Sequence, residues 1–213
     1  MSATPAAAVH TQTRSLTIVI LAALALMALW FIATRVLRYA DYSHATYRDY
    51  YWPRRWALIP HILGGLTAVT TGIVQLWLGL TNRVTGLHRV LGKVYGAGIL
   101  VGSLGGFYLA LTIPPKDVVY ATGLFMLCTA WVITTGMALF AIRRRNVIQH
   151  REWMLRSYTV TFAFVTFRLF ALVLDKLQVV SADDAGTIMS WACWAAPLIL
   201  VEPLIQAKKI KVR

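Results

Sequence analysis

Histidine and arginine stand side by side twice in this chain, as His88-Arg89 and His150-Arg151, 62 residues apart. Imidazoles from facing helices supply the axial nitrogens of a haem iron, and neighbouring guanidiniums hold its propionates by charge-assisted hydrogen bonds. The pattern points to one haem b, with His88 and His150 on the iron and Arg89, Arg151 and Arg156 as cofactor-binding residues. The same dipeptides at the starts of helices also suit plain anchoring at the headgroups, and Glu152 with Arg156 at i and i+4 suits simple helix stabilisation. Four more polar residues, His61, Gln75, Arg168 and Glu202, fall inside apolar stretches. Ionisable groups at that depth mark binding, ion or proton paths unless they snorkel to an interface. Glu202 is expected to pair with Arg89 or Arg156, since Arg168 belongs to the other leaflet.

Positioning these groups falls to long apolar segments. The chain of 213 residues is 58% hydrophobic and 14% charged, against about a quarter charged in a soluble domain. A helix rising about 1.5 Å per residue needs about 20 apolar residues to cross about 30 Å of hydrocarbon. Six runs meet that length, approximately 15–36, 57–80, 89–112, 118–142, 153–174 and 186–206. They predict an all-α, polytopic transmembrane bundle over 15–206, preceded by a disordered tail, 1–14, and followed by a basic tail, 207–213. The first run is too long for a signal-peptide core and is retained as an uncleaved helix.

The net charge of +13 sits in the short connections, which argues for a membrane surface and against nucleic acid. With both termini cytoplasmic, thirteen lysines and arginines fall on the inner side and seven on the outer, and the excess sets that orientation. The connection 39–56 crowds Tyr39, Tyr42, Tyr47, Tyr50, Tyr51, Trp52 and Trp56. Amphipathic rings of this kind belong at the headgroup level, as an interfacial belt or as a lid over a substrate. Cys128 and Cys193 lie in apolar runs without metal or disulfide spacing and are expected to be inert.

Within the second span His61, Gly65, Ala68, Gly72 and Gln75 share one helix face, and in the third Gly92, Gly96, Gly98, Gly102 and Gly106 make two close-approach surfaces. A shift of 62 residues lays the hairpin of spans two and three over that of spans four and five. Spans two to five should therefore form a four-helix core of two similar hairpins, with His88 and His150 facing each other.

The stretches HILGGLTAVTTGIVQL from His61, HRVLGKVY from His88 and HREWMLRSY from His150, with Arg168 and Glu202, resemble a bacterial family of predicted membrane proteins, the domain of unknown function 2306. That resemblance implies a multi-pass protein of the bacterial inner membrane and lends no reaction. The chain is also similar, more distantly, to transmembrane b-type cytochromes, from which it departs in offering one facing histidine pair. No hydrolase triad or phosphate-binding loop is recognisable, and no catalytic residue is assigned. The expected activity is electron transfer through one haem, with a quinone or other small molecule and a second membrane protein or another copy as partners. The competing expectation is a non-redox carrier or binding protein in which His61, Gln75, Arg168 and Glu202 line a polar path, or a structural subunit docking through its glycine faces.

Overall fold

Hydrocarbon offers backbone N–H and C=O groups no partners, so an apolar run that enters it must satisfy them internally, as a helix. The computed structural model describes residues 5–81, 86–178 and 180–210. Over those residues the chain is helical throughout: α1 (Pro5–Phe31), α2 (His44–Tyr51), α3 (Arg55–Leu80), α4 (Gly86–Leu111), α5 (Val118–Arg143), α6 (Val147–Thr161), α7 (Ala163–Leu177) and α8 (Ala182–Ile210). Five segments are long and apolar enough to cross a bilayer, and the α6–α7 pair, bent by 43°, makes a sixth when counted as one span. The protein is a polytopic helical bundle. Helix α1 begins at Pro5, inside the segment expected as a tail, and residues 1–4 and 211–213 of the expected tails lie outside the described residues.

The run read as 153–174 is a broken span, interrupted at Phe162. Hydroxyl side chains flank the break. Thr161 Oγ1 donates to the Ser157 carbonyl at 2.9 Å, and Thr166 Oγ1 donates to the Cys193 carbonyl of α8 at 2.8 Å. Such bonds compete with the helix ladder and bend it.

Glycine sets the spacing of α3 and α4. A Cβ on Gly64 would overlap the Gly98 carbonyl and the Gly102 backbone, whereas one on Gly65 would meet nothing within 4 Å. The stripe expected at Gly65 is thus carried by its neighbour, with Ala68, Gly72 and Gln75 buried on the same face. Gly72 accommodates the ring of Tyr158. Shifting α3 by 62 residues gives 117–142, against the observed Val118–Arg143, and shifting α4 gives 148–173, within the α6–α7 pair. The two hairpins are joined in the middle by a buried polar knot. Tyr95 Oη lies 2.8 Å from both Ser157 Oγ and Thr161 Oγ1, Trp131 Nε1 donates to Thr161 Oγ1 at 2.7 Å, and Thr135 Oγ1 lies 2.7 Å from Ser157 Oγ. In a low dielectric these bonds strengthen one another, and they fix α4, α5 and α6 in register.

Candidate functional site

The polar residues gather at two ends of the bundle. One end carries the 37–56 connection, the turn at 112–117, Gln178 and Ser181; the other carries the basic hinge at 143–147.

At the loop end a cavity of ≈ 210 Å³ opens among α1, α3, α4, α5 and α7. Apolar side chains such as Phe31, Leu58, Leu127 and Phe164 form its walls, and Arg35, Arg38, Arg168 and His61 bring it cationic and proton-bearing groups. No aspartate or glutamate is among the described residues lining it. Arg35 reaches it because α1 ends in a π-helical turn, Ile32–Val36, a distortion that re-aims side chains and recurs at functional sites. Its Nε is buried and has no hydrogen-bond partner. Arg38 donates to Tyr39 Oη at 2.9 Å, and the Arg168 guanidinium lies 5.3 Å from the Phe167 ring centre. His61 Nδ1–H donates to the Gly102 carbonyl at 2.7 Å, and the Phe164 ring stands edge-on at 5.3 Å. That bond leaves Nε2 as the lone-pair nitrogen.

The aromatic connection closes over this cavity. Ser43 caps α2, accepting from Thr46 N at 3.2 Å, and Tyr47 packs edge-on against Tyr39 and Trp52. Tyr39, Tyr50 and Tyr51 line the cavity, joined by Tyr120 of α5. Burial, then the neighbouring Tyr120, Tyr39 and Tyr50, push the Tyr51 phenol up to about 12 against a smaller opposing pull from Arg168. Tyr51 is therefore a hydrogen-bond donor at physiological pH. Arg54 pins the connection to the end of α4 through Thr112 Oγ1 and the Thr112 carbonyl, both at 3.1 Å.

At the hinge end His88 and His150 lie within electrostatic range of one another. His150 Nδ1–H donates to the Ala138 carbonyl at 2.9 Å, while His88 Nδ1 is buried without a partner. Arg89 and Arg151 are exposed. Gln75 Nε2 donates to the His88 carbonyl at 2.6 Å. Arg156, expected on the cofactor and also as a partner of Glu202, grips Glu202: Nε donates to Oε2 at 2.9 Å and Nη2 to Oε1 at 2.8 Å. The four residues expected on one polar path are divided: His61 and Arg168 at the loop-end cavity, Gln75 under His88, and Glu202 in an ion pair. Sequence reasoning counted Arg35 and Arg38 as connection charges and left the tyrosines as an interfacial belt or a lid over a substrate. The signal for their joint role was an arginine pair directly following an apolar run and directly preceding seven aromatic residues.

A family model described as a predicted membrane protein, DUF2306, matches residues 58–205. The chain belongs to this family. No curated protein and no solved structure matches the chain. The DUF2306 match spans both hairpins and most of α8, and so includes His61, Tyr120 and Arg168 of the cavity. Arg35, Arg38, Tyr50 and Tyr51, which complete it, precede the matched segment.

Proposed function

We propose that this protein binds a small amphiphilic anion, by class a short-chain carboxylate, in the loop-end cavity. The observation that carries the reading is the collection of three guanidiniums and an imidazole around one mostly apolar space without a lining carboxylate. Arg35 is half-buried with an unpartnered Nε and needs a counter-charge, and the exposed Arg38 and Arg168 add to the attraction for an anion. A carboxylate supplies that charge and accepts bidentate hydrogen bonds from arginine, with the Tyr51 hydroxyl available to its second oxygen. The volume is below the 300–1,000 Å³ of drug-sized sites, which limits the apolar part to a short chain. The test is equilibrium binding of the monocarboxylates from acetate to decanoate to the purified full-length protein in detergent, with hexanamide as the uncharged control. Hexanoate should bind, hexanamide should not, and Arg35→Met or Arg168→Met should each weaken hexanoate at least tenfold. Equal binding of the amide, or no binding across the series, overturns the reading.

A second reading, one-electron transfer through a single haem b at the hinge end, is favoured by two imidazoles within electrostatic range of one another. Its donor set is consistent with one axial pair: the His150 Nδ1–H bond to Ala138 is the arrangement that orients ligating histidines through their second nitrogen. His88 and His150 would hold the iron, and Arg89 and Arg151 would have to turn inward to reach propionates. A haem bound there would supply one-electron chemistry. A reduced-minus-oxidised visible spectrum of protein expressed with adequate haem, lost in His88→Ala and His150→Ala, tests it. A blank spectrum removes it.

A further inference from the structure

A second, larger recess of ≈ 760 Å³ lies beside the cavity at the loop end. Three residues, Tyr120, Phe167 and Arg168, line both spaces. The rest of the recess is largely polar, with Lys116, Asp117, Asp175, Gln178, Ser181 and Thr187 among its walls. A mostly apolar cavity and a mostly polar recess thus adjoin one another through these three shared side chains.

We infer that the ligand reaches the cavity from water, through this recess and past the Tyr120–Phe167–Arg168 partition, so that the carboxylate is a water-borne one and not a fatty acid arriving through the bilayer. The inference rests on the anion-binding reading above. Arg168 is the cation that lines both spaces among the described residues, so an incoming carboxylate meets it first and can stay bound to it while passing inward to Arg35. Phe167 offers its ring to the same guanidinium at 5.3 Å, a resting place that a carboxylate can take over without stranding the charge. The recess carries Asp117, Asp175 and Asp183 against Lys116 and Arg168, so it does not concentrate anions by its net charge. Selection therefore falls on the partition and not on long-range steering. The cavity's small volume points the same way, because a membrane-resident acyl chain of usual length exceeds it.

The recess can be narrowed without touching the cavity. Gly186 of α8 lines the recess and is absent from the cavity wall, and a Cβ there would meet nothing within 4 Å. Cys128 lines the cavity and is absent from the recess, which makes it a native reporter of what arrives. The experiment uses the full-length Cys193→Ala protein in liposomes and the anionic, membrane-impermeant thiol reagent sulfonatoethyl methanethiosulfonate. Modification of Cys128 is followed by mass spectrometry, with and without Gly186→Phe. Hexanoate binding is measured on the same samples and doubles as the folding control. The expected result is modification of Cys128 that slows at least tenfold in Gly186→Phe and at saturating hexanoate, with hexanoate affinity unchanged within threefold. Modification at the same rate with the recess plugged overturns access through the recess; should the buried Cys128 thiol not react in the unplugged protein, the hexanoate association rate with and without Gly186→Phe is the readout, and an unchanged rate overturns it. Absence of hexanoate binding to the unplugged protein is a different failure, that of the anion site itself. Should Gly186→Phe lose binding, Gly186→Leu replaces it on the same criteria.

Discussion

The Arg156–Glu202 fork gives a test of the hinge-end electrostatics in which the two partners should behave unequally. The arginine side chain is 13% exposed and the glutamate 41%. Breaking a buried ion pair costs about 3–5 kcal/mol because one charge is stranded, whereas an exposed pair contributes under about 1 kcal/mol. Glu202→Leu strands the more buried charge, and its cost should approach the buried limit, about 2–3 kcal/mol. Arg156→Met strands the wetter carboxylate, which keeps the Gln206 Nε2–H bond at 2.6 Å, and gives up a stacking contact with Trp153 at 4.7 Å. Its cost should be about 1–1.5 kcal/mol. The double variant removes both charges and leaves two apolar side chains facing each other, so it should lie within about 1 kcal/mol of the parent. Reversible unfolding in mixed micelles of increasing SDS content, run on all four proteins as a double-mutant cycle, measures these differences. Equal single-variant costs that simply add in the double would show that the fork is a solvated contact and that the burial argument fails.

Three further outcomes follow from the packing. Gly64→Ala should cost about 2–3 kcal/mol in the same micelle assay, because its Cβ meets α4 backbone that cannot yield, while Gly65→Ala should stay within about 0.5 kcal/mol. Tyr95→Phe removes the hydroxyl shared by Ser157 and Thr161 and should cost about 1–3 kcal/mol, with hexanoate binding retained. Deleting Ala33 removes one residue from the π-helical turn and rotates Arg35 by about 100° at 3.6 residues per turn; hexanoate affinity, measured by equilibrium binding, should fall as far as in Arg35→Met.

Composition and run length were enough to read six apolar segments, because the bilayer fixes helix length so tightly that 20-residue runs have no other solution in lipid. The 62-residue offset carried the pairing of hairpins for the same reason, since equal helices joined by short turns have few ways to pack. Depth along each helix narrowed the partner of Glu202 to Arg89 or Arg156, and the packing of α6 on α8 chooses Arg156. Periodicity placed Ala68, Gly72 and Gln75 of the α3 stripe on the buried face, and only its closest approach falls at Gly64 in place of Gly65, because the two are about 100° apart on a helix and the facing groove on α4 chooses between them. The break at Phe162 has no proline or glycine to announce it, and the Thr166 bond to the Cys193 carbonyl beside it lies on another helix, so it becomes visible only once α8 is packed. The cavity was illegible for a similar reason. Arg35, Arg168 and Tyr51 are far apart in the chain, and the turn that aims Arg35 inward is a departure from the regular helix that periodicity assumes.

What makes the cavity more than a gap is how this fold treats its other arginines. Arg54 is held by Thr112 and by the Tyr50 carbonyl at 2.6 Å, Arg55 by the Trp52 carbonyl at 2.6 Å and Tyr42 Oη at 3.1 Å, and Arg156 by Glu202. Each has acceptors supplied by the chain, as burying a guanidinium requires. At the cavity the sequence places aromatic faces and phenols around Arg35, Arg38 and Arg168, and leaves Arg35 Nε buried without an acceptor. Leaving a buried charged donor unmet costs more than about 1–3 kcal/mol, and a single glutamate on the cavity wall would remove that cost. On the anion-binding proposal the acceptor position is left to a carboxylate from solution, which would supply both the charge and the geometry that Arg35 lacks.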